Sequence, residues 1–350
     1  MKSIYRAIIH SVCQSVWVKE KEYFPHIVIN PYAGTIKSRV KRRYVENVIS
    51  ETFGISEYPL DKYEYQLYVT EFAQHGYEIS KQIIDYIKHE KRKKHLIVIA
   101  AGDGTAHELM SVFVKHEKIL KNVLFFRLPF GTGNDASDCE NIYQALQIQA
   151  GFGMDYPQNI LKVSTAKGRV FYSFNIASLG LDGYVVKMTN RLKKIIPGSF
   201  YTLFVDIATL LYEKLYPPQM MQITVTNGKE SVKYDGIYLF GAMGVSGYRT
   251  YGDHKKILPD RNNICFCRPI PLLQKIMKKS YFFDGRHIML KNVSMAKGNK
   301  MVIDYNHSIP FQTDGEDYLF TREDFPVIFE IPDIRLKVLK HHQPDINNRN

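Results

Sequence analysis

The chain has 350 residues, 45% of them hydrophobic, and 47 Lys and Arg against 35 Asp and Glu give a net charge of +12. That length holds two domains with their own cores, and the hydrophobic share excludes a disordered chain. No stretch reaches the ~20 uninterrupted apolar residues that span a bilayer, and residues 1–24 lack the continuous apolar core of a signal peptide.

Cys13, Cys139, Cys265 and Cys267 show neither a disulfide framework nor metal-ligand spacing. A reducing interior is their simplest setting, so the expected location is the cytoplasm, soluble or peripheral on the inner face of the membrane. Positive charge gathers in KSRVKRR (37–43), KHEKRKKH (88–95) and KMTNRLKK (187–194). Such runs suit nucleic acid, an anionic lipid surface or a polyphosphate ligand, or are simply solvated faces.

In chain order, HIVINP (26–31) reads as a strand ending in a Pro turn. Residues 37–52 have helical spacing at Val40, Tyr44, Val48 and Ile49. YEYQLYVT (63–70) is strand-like, and residues 77–88 put Ile79, Ile83, Ile84 and Ile87 on one helical face. LIVIAA (96–101) is a buried strand, residues 106–114 a helix, and VLFFRLP (123–129) another strand. Strands alternating with helices predict an open, mostly parallel sheet, with ligands beyond the carboxyl ends of its strands.

The second half changes to short alternating strands in residues 162–180, 219–244 and ICFCRP (264–269), with hairpin turns at Lys167-Gly168 and Asn227-Gly228. One helical insertion, residues 184–216, interrupts them, and an antiparallel β domain results. The boundary falls near GFGMDYP (151–157). The reading divides the chain into an N-terminal extension (1–25), an α/β domain (26–155), a β-sandwich (156–320) and a C-terminal segment (321–350).

Three turns at strand ends carry the chemistry. In IAAGDGTAHE, Gly102 and Gly104 let backbone amides approach a ligand, and the following helix adds its N-terminal dipole. Asp103 cannot itself bind an anion; its natural task is to hold Mg²⁺ against phosphates. A plain structural turn is the alternative. LPFGTGNDASD (128–138) repeats the pattern with Gly131, Thr132, Gly133, Asn134 and Asp135, where Asp135 is either a metal carboxylate or a helix N-cap. INPYAG (29–34) places Asn30 in a small-residue turn after the first strand.

Taken in order, these motifs resemble the diacylglycerol kinase catalytic domain family, which includes bacterial lipid kinases and sphingosine kinases. The match runs through NPYAG, AGDGTAHE for the family's GGDGTxNE, PFGTGND, FNIASLGLDG (174–183), GSFYTL (198–203), LFGAMGVSGYRTYG (239–252) and DGE (314–316). It spans residues 26–320. The resemblance implies an NAD kinase-like α/β domain and a β-sandwich that offers the lipid. It implies ATP contacts from Asn30, Thr70, Ala101, Gly102, Gly104, Thr105, Gly131, Thr132 and Asn134. Asp103 and Asp135 would organise Mg²⁺, with Asp103 also catalytic, and Glu316 would be the general base.

Two positions depart from the family pattern: Ala101 stands for its first glycine, and His107 for the Asn before Glu108. In the loop where bacterial relatives place a structural metal, Asn262 and Asn263 of LPDRNNICF replace the usual Asp-Gly, so that site is not carried over. RLKKIIPGSFYTLFVDIATLLYEKLYPP (191–218) joins basic residues to an apolar, aromatic segment, either docking on anionic lipid or packing on the β domain.

The expected activity is an ATP-dependent lipid kinase acting on the hydroxyl of diacylglycerol or a related lipid alcohol. The alternatives are NAD kinase, which shares the Gly-Asp-Gly turn, and a catalytically silent nucleotide or lipid sensor. Nucleic acid is not an expected partner, because no recognised module accompanies the basic runs. Oligomeric state is open, a homodimer included.

Overall fold

The structure, a computed structural model, describes residues 2–55, 57–90, 92, 94–132, 134–135, 137–192, 201–252 and 255–342. The chain forms two compact units: Met1–Gln158 joined by Ile334–Asn350, and Asn159–Asp333.

The first unit is built on a six-stranded sheet ordered Gln66–Val69, Phe24–Ile29, His95–Ala100, Val123–Arg127, Arg335–His341 and Gly153–Asn159. Its central strands, FPHIVI, HLIVIA and VLFFR, are buried along their whole length, as strands covered on both faces must be. They run parallel, with Ile27 opposite Val98 and Ile97 opposite Phe125. Helix Arg39–Phe53 buries Val45, Val48 and Ile49 in a core with Ile27, Leu96 and Phe126. Helices His75–His89 and Asp103–Phe113 pack against each other.

Two terminal segments differ from the sequence reading. Residues 1–25 are no extension: helix Lys2–Cys13 buries Ile4, Ile8 and Val12 in this core, and Trp17 Nε1 donates to the Ile148 carbonyl at 3.0 Å. RLKVLKH, in the segment set apart as 321–350, returns as Arg335–His341 beside Val123–Arg127, with Val338 opposite Phe125. Its buried Leu336, Val338 and Leu339 complete the sheet. GFGMDYP also lies within this unit, for Gly153–Asn159 forms the sheet's edge strand and the division falls at 158/159.

The second unit is an antiparallel β-sandwich. One sheet runs through Glu230–Lys233, Met220–Asn227, Lys300–Asp304, Val327–Glu330, Leu161–Ser164 and Val170–Ser173. The other runs through Val293–Ala296, Ile264–Cys267, Phe240–Gly244, Ile176–Gly180, Ile309–Thr313 and Glu316–Phe320. Their facing side chains, among them Ile223, Val225, Met301 and Phe329 from the first and Leu179, Met243, Phe266 and Phe311 from the second, form one core. The alternation of buried and exposed residues in MMQITVTN fixes which face turns inward.

The predicted insertion contains helices Leu181–Leu192 and Tyr201–Leu215, which pack together; residues 193–200, including the start of GSFYTL, lie outside the described residues. A further helical segment, Leu272–Met277, Lys279–Asp284 and Arg286–Met289, follows Ile264–Cys267 and has no counterpart in the sequence reading. All four cysteines are free and buried.

Candidate active site

In the first unit the three glycine-bearing turns are tied together. Asn30 follows strand Phe24–Ile29; its Nδ2 donates to Thr105 Oγ1 at 3.0 Å and its Oδ1 accepts from Tyr32 N at 2.8 Å. One side chain therefore joins the NPYAG turn to the GDGT turn. Thr35 N donates to the Phe130 carbonyl at 3.0 Å, joining the same turn to the third. Thr70 is buried beside them, its amide bonded to the Ile29 carbonyl at 3.0 Å.

Helix Asp103–Phe113 starts at Asp103, three residues earlier than its apolar spacing indicates, because GDGT itself forms the first turn. Its cap is Gly102, with no side chain to occupy the leading amides, which is the arrangement that receives anions. Gly104 and Thr105 lie in that first turn, Thr105 buried. Ala101 is buried too, so its methyl lies in the packed interior.

Gly131 sits against this cap. A Cβ at position 131 would stand 3.0 Å from Gly102 Cα and 2.9 Å from Asn134 Oδ1, so glycine is what lets the two glycine-bearing turns meet. Asn134 adopts φ 57°, a left-handed conformation that asparagine tolerates, and its Nδ2 reaches the Pro129 carbonyl at 3.3 Å. Thr132 is exposed, and Gly133 lies outside the described residues. Asp135 caps no helix: the next helix is Ile142–Gln147, whose cap is Asn141, accepting from Gln144 N at 3.0 Å.

The GTGND loop is closed at its neck by a pair that sequence reasoning missed. Arg127 and Asp138 are both buried; Arg127 Nε and backbone N donate to Asp138 Oδ2 at 3.0 and 2.8 Å, and Nη2 donates to Oδ1 at 2.5 Å. Arg127 Nη2 also donates to Gln158 Oε1 at 2.8 Å. Glu108 has a task of its own: its Oε2 accepts from Gly76 N at 3.0 Å, at the start of helix His75–His89. His107 is buried in the preceding turn of its helix.

In the second unit Glu316 opens strand Glu316–Phe320, half-buried, opposite Thr313. The turn before it, Asp314-Gly315, has φ 49° and 95°, the paired positive values of a tight hairpin. It is not a merely solvated turn. The Asp314 carboxylate accepts from Ser173 Oγ at 2.6 Å and from the amides of Phe174, Asn175 and Ile176 at 2.6, 3.1 and 3.2 Å. Asn190 Nδ2 holds the far side through Gly315 O at 3.1 Å and Asp317 Oδ1 at 2.8 Å.

Behind the turn runs a polar relay. Gly315 N donates to Gln312 Oε1 at 3.2 Å, and Gln312 Nε2 donates to Ser178 Oγ at 2.8 Å and to Asp182 Oδ2 at 3.1 Å. The Ser178 hydroxyl also donates to Asp182 Oδ2. Burial raises the Asp182 pKa, partly offset by the Ser178 bond, the Lys255 charge and the Gln312 bond. Asp182 stands at a cavity of about 300 Å³ with mostly apolar walls.

The loop compared with a structural-metal site has other work. Asn263 is buried and cross-links Gly244 O at 3.3 Å with Gly298 O at 2.9 Å and Gly298 N at 3.0 Å, while Asp260 accepts from Asn262 N at 2.8 Å and Asn262 Nδ2 at 3.0 Å. Among the described residues no three of His, Cys, Asp and Glu gather as a metal site. Mg²⁺ asks for less: one or two carboxylates plus phosphate oxygens suffice. Asp103, whose amide lies against Gly131, and Asp135, on the loop that carries Gly131, are the carboxylates that would meet that demand.

Residues 25–151 match the family model of the diacylglycerol kinase catalytic domain. No curated protein matches the chain. A solved structure named as a "putative diacylglycerol kinase", from Bacillus anthracis str. Sterne, aligns with a TM-score of 0.60 over 93% of this chain and 99% of its own, at 15% identity. Another from that organism, named as a diacylglycerol kinase, gives 0.57 over 93% and 99%, at 14% identity. These likenesses show a shared fold across both units. The stretch 25–151, in which the three glycine-bearing turns pack on one another, is similar to the diacylglycerol kinase catalytic domain family.

Proposed function

We propose that the protein is an ATP-dependent lipid kinase, transferring the γ-phosphate to the hydroxyl of diacylglycerol or a related lipid alcohol. The observation that carries the reading is the contact of Gly131 with the Gly102 cap, which brings together the two amide-bearing turns whose loops carry Asp103 and Asp135. Asn30, Thr70, Gly102, Gly104, Thr105, Gly131, Thr132 and Asn134 hold the nucleotide in this reading, with buried Ala101 supporting the turn. Asp103 and Asp135 would hold Mg²⁺, which when bound supplies positive charge against the phosphate oxygens.

At the acceptor, Glu316 takes the proton of the lipid hydroxyl as its oxygen forms a bond to the γ-phosphorus. The bond from that phosphorus to the β,γ-bridging oxygen breaks, and ADP leaves with the electron pair. Asp314, held by four donors, keeps the backbone of the turn rigid so that Glu316 starts from a fixed position. Leading amides of helix Asp103–Phe113 oppose the charge that spreads over the transferred group.

Access to a lipid is supported by helix Tyr201–Leu215, which exposes Leu210, Leu211 and Leu215, a face suited to an anionic membrane surface. No helix among the described residues is long and apolar enough to cross a membrane. Transfer of label from γ-³²P-ATP to a lipid alcohol, and its absence with NAD as acceptor, tests the assignment.

A further inference from the structure

A short loop, residues 70–76, leads from strand Gln66–Val69 into helix His75–His89. The strand runs parallel to Phe24–Ile29 with Val69 opposite Ile29. Thr70 and Asn30 therefore leave the sheet side by side, about 5 Å apart. The Thr70 amide, bonded to the Ile29 carbonyl, fixes the first end of the loop. The other end is fixed on helix Asp103–Phe113. Gly76 N donates to Glu108 Oε2, and a Cβ at Gly76 would stand 2.6 Å from that oxygen and 3.4 Å from the Thr105 carbonyl oxygen. The loop is thus pinned to the start of the NPYAG turn at one end and to the GDGT turn at the other.

What the loop carries is an aromatic ring held out to solvent. Phe72 is 54% exposed, yet its ring is stacked on the His75 imidazole, with centroids 4.3 Å apart and planes 12° from parallel. Backbone groups fix the imidazole in turn. His75 Nδ1 accepts from Glu71 N at 3.0 Å, which leaves the ring as the Nε2–H tautomer. His75 N donates to the Phe72 carbonyl at 3.3 Å. The reversal that brings the two rings together passes through Gln74, whose φ of 68° is a left-handed conformation that glutamine seldom adopts.

Single exposed apolar side chains are ordinary on a protein surface. A ring ordered by a stack on one side and left in water on the rest loses torsional freedom without gaining full burial. That loss is recovered when a flat aromatic ligand covers the free face. A nucleotide held by its phosphates at the Gly102 cap has one such part, its base. Phe72 lies two residues beyond Thr70, at most about 7 Å along the chain.

We propose that Phe72, backed by His75, is the platform on which the purine base of the bound nucleotide stacks. This rests on the nucleotide-binding reading of the NPYAG and GDGT turns and extends it from the phosphates to the base. A ring face responds to the area of the base and not to the donors on its edge. The platform therefore holds ATP and GTP alike and a pyrimidine nucleotide less well.

The test is calorimetric titration of the full chain, without lipid, with the Mg²⁺ complexes of ATP, GTP, CTP and inorganic tripolyphosphate, which has the phosphates and no base. Phe72→Ala is expected to weaken ATP and GTP roughly tenfold, as loss of a base–aromatic stack does, and to leave tripolyphosphate within about twofold of wild type. Phe72→Trp is expected to hold purines at least as tightly as wild type, and Phe72→Leu to hold them weakly. The melting temperature of Phe72→Ala stays near that of wild type, because the side chain is more than half in water. Purine binding undiminished in Phe72→Ala, or fully restored by Phe72→Leu, overturns the proposal. An equal loss of tripolyphosphate does so too, because the loop would then only shape the turns. Should Phe72→Ala fail to fold, the contrast between Phe72→Trp and Phe72→Leu decides alone. Phosphoryl transfer is scored separately. Purine binding that depends on Phe72, without transfer to any lipid alcohol, would sink the kinase reading and leave the platform standing. Transfer to a lipid alcohol with ATP binding unchanged in Phe72→Ala does the reverse. A wild type that binds no nucleotide overturns both.

Discussion

Arg127 grips Asp138 through two side-chain bonds and one backbone bond, and so closes the neck of the loop that carries Gly131, Thr132, Asn134 and Asp135. Both side chains are almost wholly removed from water, with 5% and 0% exposure. Removing one partner of a buried pair leaves an uncompensated charge, which costs about 3–5 kcal/mol, whereas replacing both by apolar groups costs far less. Asp138→Ala is therefore expected to lose stability on that scale in chemical denaturation, and Arg127→Met with Asp138→Leu to recover most of it. The double variant, folded but with a looser neck, is expected to bind a fluorescent ATP analogue about tenfold more weakly. Wild-type affinity there would show that the neck only stabilises.

Gly131→Ala tests the meeting of the two turns. Its methyl would press on Gly102 Cα at 3.0 Å, a backbone atom that cannot swing aside. A drop in nucleotide affinity of tenfold or more is expected, with a loss of stability of about 1–3 kcal/mol from local overpacking. Ala101→Gly, on the same strand end, is expected to cost only about 0.5–1 kcal/mol through backbone entropy and to leave nucleotide binding intact.

His26 and His95 lie side by side in adjacent strands, Nε2 of the first 3.1 Å from Nδ1 of the second. Burial, and then the neighbouring His95, holds the His26 pKa down at about 3; burial lowers that of His95 as well. Both rings stay neutral in the fold but take up protons when unfolded below the ordinary histidine value near 6.5. Stability is thus fully present above that value and falls as pH drops from about 6.5 toward 3, with up to about 1.4 kcal/mol per pH unit from each ring. Denaturation midpoints across this window check the slope. His26→Phe should flatten it.

Asp182 has the opposite sense. Burial raises its folded pKa, so its contribution to stability is fully present below the unfolded carboxyl pKa and is lost as pH rises through the folded value. Asp182→Asn keeps an acceptor for Ser178 and Gln312 and removes the charge. It is expected to melt at the same or higher temperature at pH 7. A lower melting temperature would show instead that the charge stabilises the fold.

The central strands were legible because continuous apolar runs such as LIVIAA and VLFFRLP have few alternatives, and the turns after them because Gly and Asp recur at their ends. Helix Lys2–Cys13 was not, since its apolar spacing is mixed with charge, and its place follows only from its burial against Val45 and Val48. Arg335–His341 was also missed. It joins the sheet beside a strand more than 200 positions earlier, and nothing local records that pairing. The same holds within the site. Asp103 and Asn30 announce themselves through motifs, but the bonds of Arg127 to Asp138, Glu108 to Gly76 and Gln312 to Asp182 depend on which loops the fold brings together. Asp135 was open to a capping role on local pattern, and the chain continues to Asn141 before a cap is needed.

The most direct measurement is transfer of label from γ-³²P-ATP, with Mg²⁺, into lipid alcohols carrying one or two chains and into NAD. Wild type is run beside Asp103→Asn and Glu316→Gln, each checked for folding. Label on a lipid alcohol, reduced at least a hundredfold in both variants while Glu316→Gln still binds the nucleotide, is the predicted result. Label on NAD, or lipid labelling that survives Glu316→Gln, would contradict the account.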